Sequence, residues 1–269
     1  MMTEALLAFT MAIPIAMLGG LIGLGGAEFR LPVLVGLLRR SAHQAVPINL
    51  AISLVTLLVA LVVRSRTLPA LPLDSLGVIL TAMIAGAMLT AYLGAGLTAR
   101  LSPHALEGWI RLLLTVIGLL LVLEGFVPLT EAGLIGAFPA AQAPVGFIAG
   151  GLIGMVSSTL GVAGGELIIP TLIFIFGVGI KTAGSASLII SLPTVITGLI
   201  RYARKGLLFN RDEGVNIVLP MGLGSIIGSI LGGTLAGIVP ANILKVLLGL
   251  ILIASAVRMF QRRTSSSLA

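Results

Sequence analysis

The chain has 269 residues, 58% apolar and 9% charged, with a net charge of +7 and a mean hydropathy of +1.19. So few polar residues cannot cover a soluble surface, where about 25% charged residues is usual. The long unbroken apolar runs exclude a β-barrel and indicate an all-α polytopic membrane protein. No cysteine is present, which removes disulfides, thiolate metal sites and thiol catalysis.

The N-terminus, Met1-Met2-Thr3-Glu4, has no basic region of the kind that precedes a cleaved signal, so the first apolar segment, 5–22, is expected to stay. Glycines at 23, 25 and 26 interrupt it, and a shorter arm, 27–38, ends at Arg39-Arg40. The next segment, 43–63, closes with Arg64 and Arg66. Asp74 is the expected N-cap of 75–99. Residues 105–127 follow, with Trp109 near an interface. A proline-marked linker, 128–143, separates this first repeat (1–127) from a second (144–263). The second contains segments 145–160, 166–178, 182–203, 214–237 (opened by Asp212) and 241–258. Arg258, Arg262 and Arg263 close it, and 264–269 is an expected disordered tail.

The division rests on duplication. Gly23, Gly26, Glu28 and Pro32 recur as Gly161, Gly164, Glu166 and Pro170, each 138 positions on. Ile52-Ser53-Leu54 recurs as Ile190-Ser191-Leu192 at the same offset, and Asp74 as Asp212. Polar residues and prolines matching at one offset in an apolar chain indicate an internal repeat.

The glycine breaks decide the topology. Residues 5–38 as one helix would run about 50 Å, against a hydrocarbon core of about 30 Å. Single crossings would make parallel repeats of four segments, and hairpins would make inverted repeats of five. With the C-terminus inside, hairpins put eleven Lys/Arg inside and four outside (Arg64, Arg66, Lys181, Lys245), against nine and six for single crossings. The positive-inside rule favours hairpins. The expected fold is two inverted repeats, each a glycine-broken hairpin plus three transmembrane helices, with both termini cytoplasmic in the cytoplasmic (inner) membrane.

Glycine-broken helices in corresponding places of two halves mark a transporter's binding site. Gly25-Gly26 and Gly164-Gly165 free backbone N–H groups and a positive dipole end, which suits an anion. The plainer alternative is a kink for close packing. Glu28 and Glu166 are intramembrane carboxylates, functional by default. They are candidates for proton coupling, since a protonated carboxyl tolerates a nearby anion and can donate to it. The plainer alternative is a first-turn residue that complements the helix dipole. Arg30, whose counterpart is Ile168, can pair with Glu28, bind substrate or snorkel. Gln44, Asn49 and Ser53 in the first half, and Thr182, Ser185, Ser187 and Ser191 in the second, are either interhelical hydrogen-bonding groups or oxyanion donors. Enzyme signatures are absent: no triad, and no Gly-Lys-Ser/Thr loop for a nucleotide. No metal, cofactor or nucleic-acid partner is expected. The basic residues lie scattered at loops and are read as membrane topology.

The pattern Gly23-x-Gly25-Gly26-Ala27-x-x-x-x-Pro32, echoed by Gly161-x-Ala163-Gly164-Gly165-x-x-x-x-Pro170, resembles the glycine motif of the TauE/SafE sulfite exporters, also called 4-toluenesulfonate uptake permeases. Each copy has alanine in place of one glycine. Downstream, Ala183…Ala186-Ser187-Leu188 keeps the family's Ser-Leu, whereas Ala45…Ile48-Asn49-Leu50 keeps only the alanine and leucine. The resemblance extends over nearly the whole chain in length and segment order. It implies transport of sulfur-containing anions such as sulfite, thiosulfate or organosulfonates, with the glycines and the Ser187 region at the site. The expected partners are a small anion, protons and the bilayer, with a homo-oligomer left open. The expectation is secondary transport by alternating access, coupled to protons. The alternatives are a passive anion channel or uniporter, and a non-transporting membrane subunit of a larger complex.

Overall fold

The computed structural model describes residues 2–68, 73–97, 115–116, 118–119, 121–123, 126, 133–135, 138–160 and 163–266; these contain helices and turns, and no strand. Helix α1 spans Met2–Ile22. The chain then unwinds, and Gly26 takes a left-handed conformation (φ 67°) as the N-cap of α2, Ala27–Pro32. A π turn, Val33–Leu37, prolongs α2. Helix α3, Ala42–Thr67, starts from a capping box in which Ser41 Oγ accepts from the Gln44 N–H and the Gln44 side chain accepts from the Ser41 N–H. A short turn, Asp74–Leu76, leads into α4, Gly77–Leu97.

The second half repeats this order. Helix α5, Pro139–Leu160, ends near a second break, where Gly164 (φ 80°) caps α6, Gly165–Phe174. Helix α7 spans Ile180–Arg204. Residues Arg211–Glu213 and a π turn, Gly214–Val218, enter α8, Leu219–Ile238. Helix α9 spans Ala241–Ser266. Both N-caps at the breaks need φ > 0, which glycine adopts without the Cβ clash that penalises other residues.

Among the described residues, five stretches are long and apolar enough to cross a membrane: Thr3–Ile22, Gln44–Thr67, Pro139–Ser157, Ile180–Arg204 and Arg211–Ile238. Large apolar side chains stand exposed on their outer faces, among them Val62, Leu152, Leu223 and Ile238, as lipid contact requires. The protein is a multi-pass α-helical membrane protein.

Each broken segment turns back on itself. Leu34 and Leu38, beyond the first break, pack in one cluster with Ala8 and Ala12 near the start of α1. Arg40 then forms an ion pair with Glu4. In the second half, the Leu134 and Ile135 N–H groups, just ahead of α5, donate to the Phe174 and Ile175 carbonyls at the end of α6 (3.1 and 2.8 Å). The breaks are therefore hairpin tips.

The halves interlock reciprocally. Helix α1 lies along α8, where Gly224, Gly228 and Gly232 bring the α8 backbone against the Phe9, Ile13 and Met17 carbonyls. Helix α5 lies along α4, where Gly86 meets the Phe147 carbonyl. Adding 138 to Phe9 and Gly86 gives Phe147 and Gly224, so one contact is made twice with the halves exchanged. A larger residue at these glycines would push the helices apart, as at other small-residue interfaces in membranes. Gly118, from the helical residues near 115–126, meets Gly249 of α9 in the same way.

Helices α3 and α7, equivalent by the offset, run in opposite directions. The end of α3 meets the start of α7 through Arg64, and Leu50 near the start of α3 reaches Gly198 near the end of α7.

Several expectations change. Arg64 is not a loop charge: it is 1% exposed inside α3. It donates to the Gly20, Leu21 and Lys181 carbonyls (3.2, 2.8 and 2.8 Å) and to Ser185 Oγ (3.0 Å). The physical reason is the break itself: α1 stops inside the protein, and its last carbonyls, lacking intrahelical partners, need a donor where water is scarce. Gln44 belongs to the α3 cap and not to a binding site. The cap before α8 is Asn210, in a capping box with Glu213, and not Asp212. Helix α5 starts at Pro139, inside the expected linker, and α9 continues to Ser266, beyond 263. Gly161, Arg100, His104, Trp109 and Arg111 lie outside the described residues.

Candidate functional site

The two hairpin tips meet. A Cβ at Gly25 would lie 2.7 Å from the Ala163 Cβ, and these two positions are equivalent by the offset. Gly165 faces Leu24 of the opposite tip, with its Cβ position 3.0 Å from Leu24 Cδ2. The unwound segments of both halves thus touch, and side chains of the facing tip, Ala163 and Leu24, leave little room for a larger residue at Gly25 and Gly165. Leu24, Ala27, Ala163 and Gly165 are all buried.

Glu28 and Glu166, one residue inside α2 and α6 respectively, lie close enough at this junction to influence one another. Glu166 is 9% exposed and Glu28 is half-buried. Glu28 Oε2 is shielded from solvent without a partner. Two ionised carboxylates repel at close range, so a neighbouring pair favours holding a proton.

Arg30 is fully buried beside Gly25-Gly26. Its Nη1 donates to Ser53 Oγ (2.9 Å) and Asn49 Oδ1 (3.1 Å), and its Nη2 donates to Thr56 Oγ1 (3.1 Å) and the Gly25 carbonyl (3.3 Å). Asn49 Nδ2 in turn donates to the Ala27 carbonyl (3.2 Å). Asn49, Ser53 and Thr56 stand at i, i+4 and i+7 on α3, one face of a helix. Pairing of Arg30 with Glu28 is not seen: among the described residues the one ion pair within 4.0 Å is Arg40–Glu4. The guanidinium is held by neutral oxygens alone, and its Nε has no partner.

The second half offers Ile168, Ser187, Ser191 and Thr194 at the places of Arg30, Asn49, Ser53 and Thr56. Ile168 is 1% exposed and brings only carbon. Ser187 and Ser191 are fully buried, and their hydroxyls have no hydrogen-bond partner. Ser187 Oγ would lie 3.2 Å from a Cβ at Gly165, so it faces the first turn of α6. Thr194 Oγ1 bonds the Ile190 carbonyl (3.0 Å), as Thr56 Oγ1 bonds the Ile52 carbonyl (3.0 Å).

Of the residues singled out in the sequence, Gly25, Gly26, Glu28, Arg30, Asn49 and Ser53 gather at one tip, and Gly164, Gly165, Glu166, Ser187 and Ser191 at the other. Ser185 stands apart: its hydroxyl accepts from Arg64 Nε and donates to the Lys181 carbonyl. Sequence reasoning missed Thr56 and Thr194, although both lie on the 138-residue offset and continue the i, i+4, i+7 face. It also missed Arg64 as the brace of α1, for which no sequence signal existed beyond a charge at the end of an apolar run.

Residues 146–268 match the family model described as Sulfite exporter TauE/SafE. The match covers the second half and bears out there the resemblance seen in the glycine motif. Neither the curated proteins nor the solved structures contain a match to the chain.

Proposed function

We propose that this chain, whose residues 146–268 match the sulfite exporter TauE/SafE model, is a transporter and not an enzyme, and that it moves sulfur-containing oxyanions (sulfite, thiosulfate or organosulfonates) across the cytoplasmic membrane by alternating access, coupled to protons. The observation that carries this reading is the Arg30 guanidinium, buried beside the touching hairpin tips with no carboxylate in ion-pair range. A buried charge with no carboxylate in direct contact is expensive, and an anion at the tips lowers that cost. The backbone at Gly25-Gly26 and Gly164-Gly165 and the Ser53 and Ser187 hydroxyls, which lie beside Gly25 and Gly165, supply further donors near the same junction.

The halves are read as inverted repeats. This is supported by the opposite run of α3 and α7 and by the exchanged contacts of Phe9 with Gly224 and Phe147 with Gly86. Two halves that can trade conformations about one central site are what rocking between inward- and outward-open states needs. Burying Arg64 removes one of the four basic residues assigned outside, which widens the charge bias and supports cytoplasmic termini. The closeness of Glu28 and Glu166 supports proton coupling: two carboxyls near one another in a dry junction favour a bound proton, and a further proton offsets the charge of an arriving anion.

Uptake of labelled sulfite and sulfonates into proteoliposomes, with and without an imposed pH gradient, tests this. Gradient-driven accumulation is expected for the wild type. Glu28→Gln and Glu166→Gln are expected to retain binding but lose the gradient dependence. Equal flux in both conditions would indicate a channel or uniporter, and no uptake of any anion would sink the transport reading.

A further inference from the structure

We infer that the second half holds a monovalent cation, sodium, among the oxygens of Ser187, Ser191 and Thr194 and the Ala163 carbonyl. The first half shows what such an oxygen set does. Asn49 Oδ1, Ser53 Oγ, Thr56 Oγ1 and the Gly25 carbonyl all accept hydrogen bonds from one cation, the Arg30 guanidinium. Each of these four has its oxygen-bearing equivalent 138 positions on, in Ser187, Ser191, Thr194 and Ala163. The cation alone is missing from the series, because position 168 is isoleucine.

The second half shows the consequence. The Ser187 and Ser191 hydroxyls, both 0% exposed, have no partner, a costly condition for polar groups away from water. Thr194 spends its proton on the Ile190 carbonyl, as Thr56 does on the Ile52 carbonyl, and so keeps lone pairs to accept with. Hydroxyl and carbonyl oxygens without a carboxylate among them suit a hard monovalent cation rather than a divalent one, and unwound carbonyls beside broken helices serve this purpose in secondary transporters. A hydroxyl has two lone pairs and one proton. Ser187 and Ser191 can therefore face sodium with oxygen and the transported anion with hydrogen. Sodium orients the donors that the anion needs, and becomes a coupling ion beside the proton.

The sodium site rests on the proposed transport reading only for the role it plays in coupling; sodium binding itself is measured without anion. Purified protein is melted in sodium, potassium or choline chloride at one pH and ionic strength. Sodium is expected to raise the midpoint by at least about 2–4 °C over choline at saturation. Ser187→Ala and Ser191→Ala are expected to weaken the half-saturating sodium concentration at least tenfold with an unchanged midpoint in choline. Ile168→Arg, which tethers a guanidinium at the same place, is expected to abolish the sodium response. Should Ile168→Arg not fold, the serine variants decide alone. A wild-type midpoint equal in all three salts, or a full sodium response in both serine variants, overturns the site; neither result bears on anion uptake.

Discussion

The two hairpin tips have the same backbone and different chemistry. At the first, a tethered guanidinium uses the Asn49, Ser53 and Thr56 oxygens of α3, and a permanent positive charge is built in. At the second, isoleucine leaves the equivalent oxygens of α7 for something that comes and goes. A symmetric backbone with one charged and one neutral tip can keep a constant attraction for anions on one side and a variable, ion-dependent grip on the other. Duplication explains the shared geometry. The divergence at position 30 versus 168 is what makes one site out of two similar halves.

The largest effect is expected at Arg30. Arg30→Ile makes the first tip resemble the second, removes the buried positive charge at the junction, and leaves Asn49 and Ser53 without their donor. Loss of one partner from a buried charge interaction is worth about 2–5 kcal/mol, so anion affinity should fall at least about 30-fold, measured by ligand-induced thermal stabilisation. Arg30→Lys should rescue only part of it, because a single ammonium cannot span Asn49, Ser53 and Thr56 at once.

A smaller effect, on stability rather than affinity, is expected at Arg64. Arg64→Leu keeps the bulk but leaves the Gly20 and Leu21 carbonyls without their donor and cuts the tie to α7. Each such orphaned group costs about 1–3 kcal/mol, read as a lower melting midpoint in detergent. The equivalent residue in the other half is Tyr202, which is exchanged for phenylalanine with little change expected, since no comparable brace hangs on it.

The smallest effect compares the two caps. Ser41→Ala removes the capping box before α3 and Asn210→Ala the one before the entry to α8, and each should cost about 1 kcal/mol. Near-equal losses would show that the local starts of helices are independent of the asymmetry at the tips.

Much of this was legible without coordinates. The apolar composition, the 138-residue offset, the glycine breaks and the single carboxylate in each determined a duplicated, helical membrane protein with its centre at the breaks. The physical reason is that lipid forbids unpaired backbone, so any glycine break inside an apolar run must serve a purpose, and its repetition marks where. The hairpin turn was favoured by charge counting, but what decided it was the return of Arg40 to Glu4 and of Phe174 to Leu134. The closeness of Glu28 to Glu166, the exchange of α1 and α5 between halves, and the burial of Arg64 were decided by tertiary structure alone. These depend on how separate helices approach one another in space. Arg64 in sequence looks like any arginine closing an apolar run, and Ser185 looks like any of its neighbouring serines. Only the position of the unfinished end of α1 tells that the arginine turns inward to complete it, and that Ser185 is taken up by that arginine while Ser187 and Ser191 face the tips.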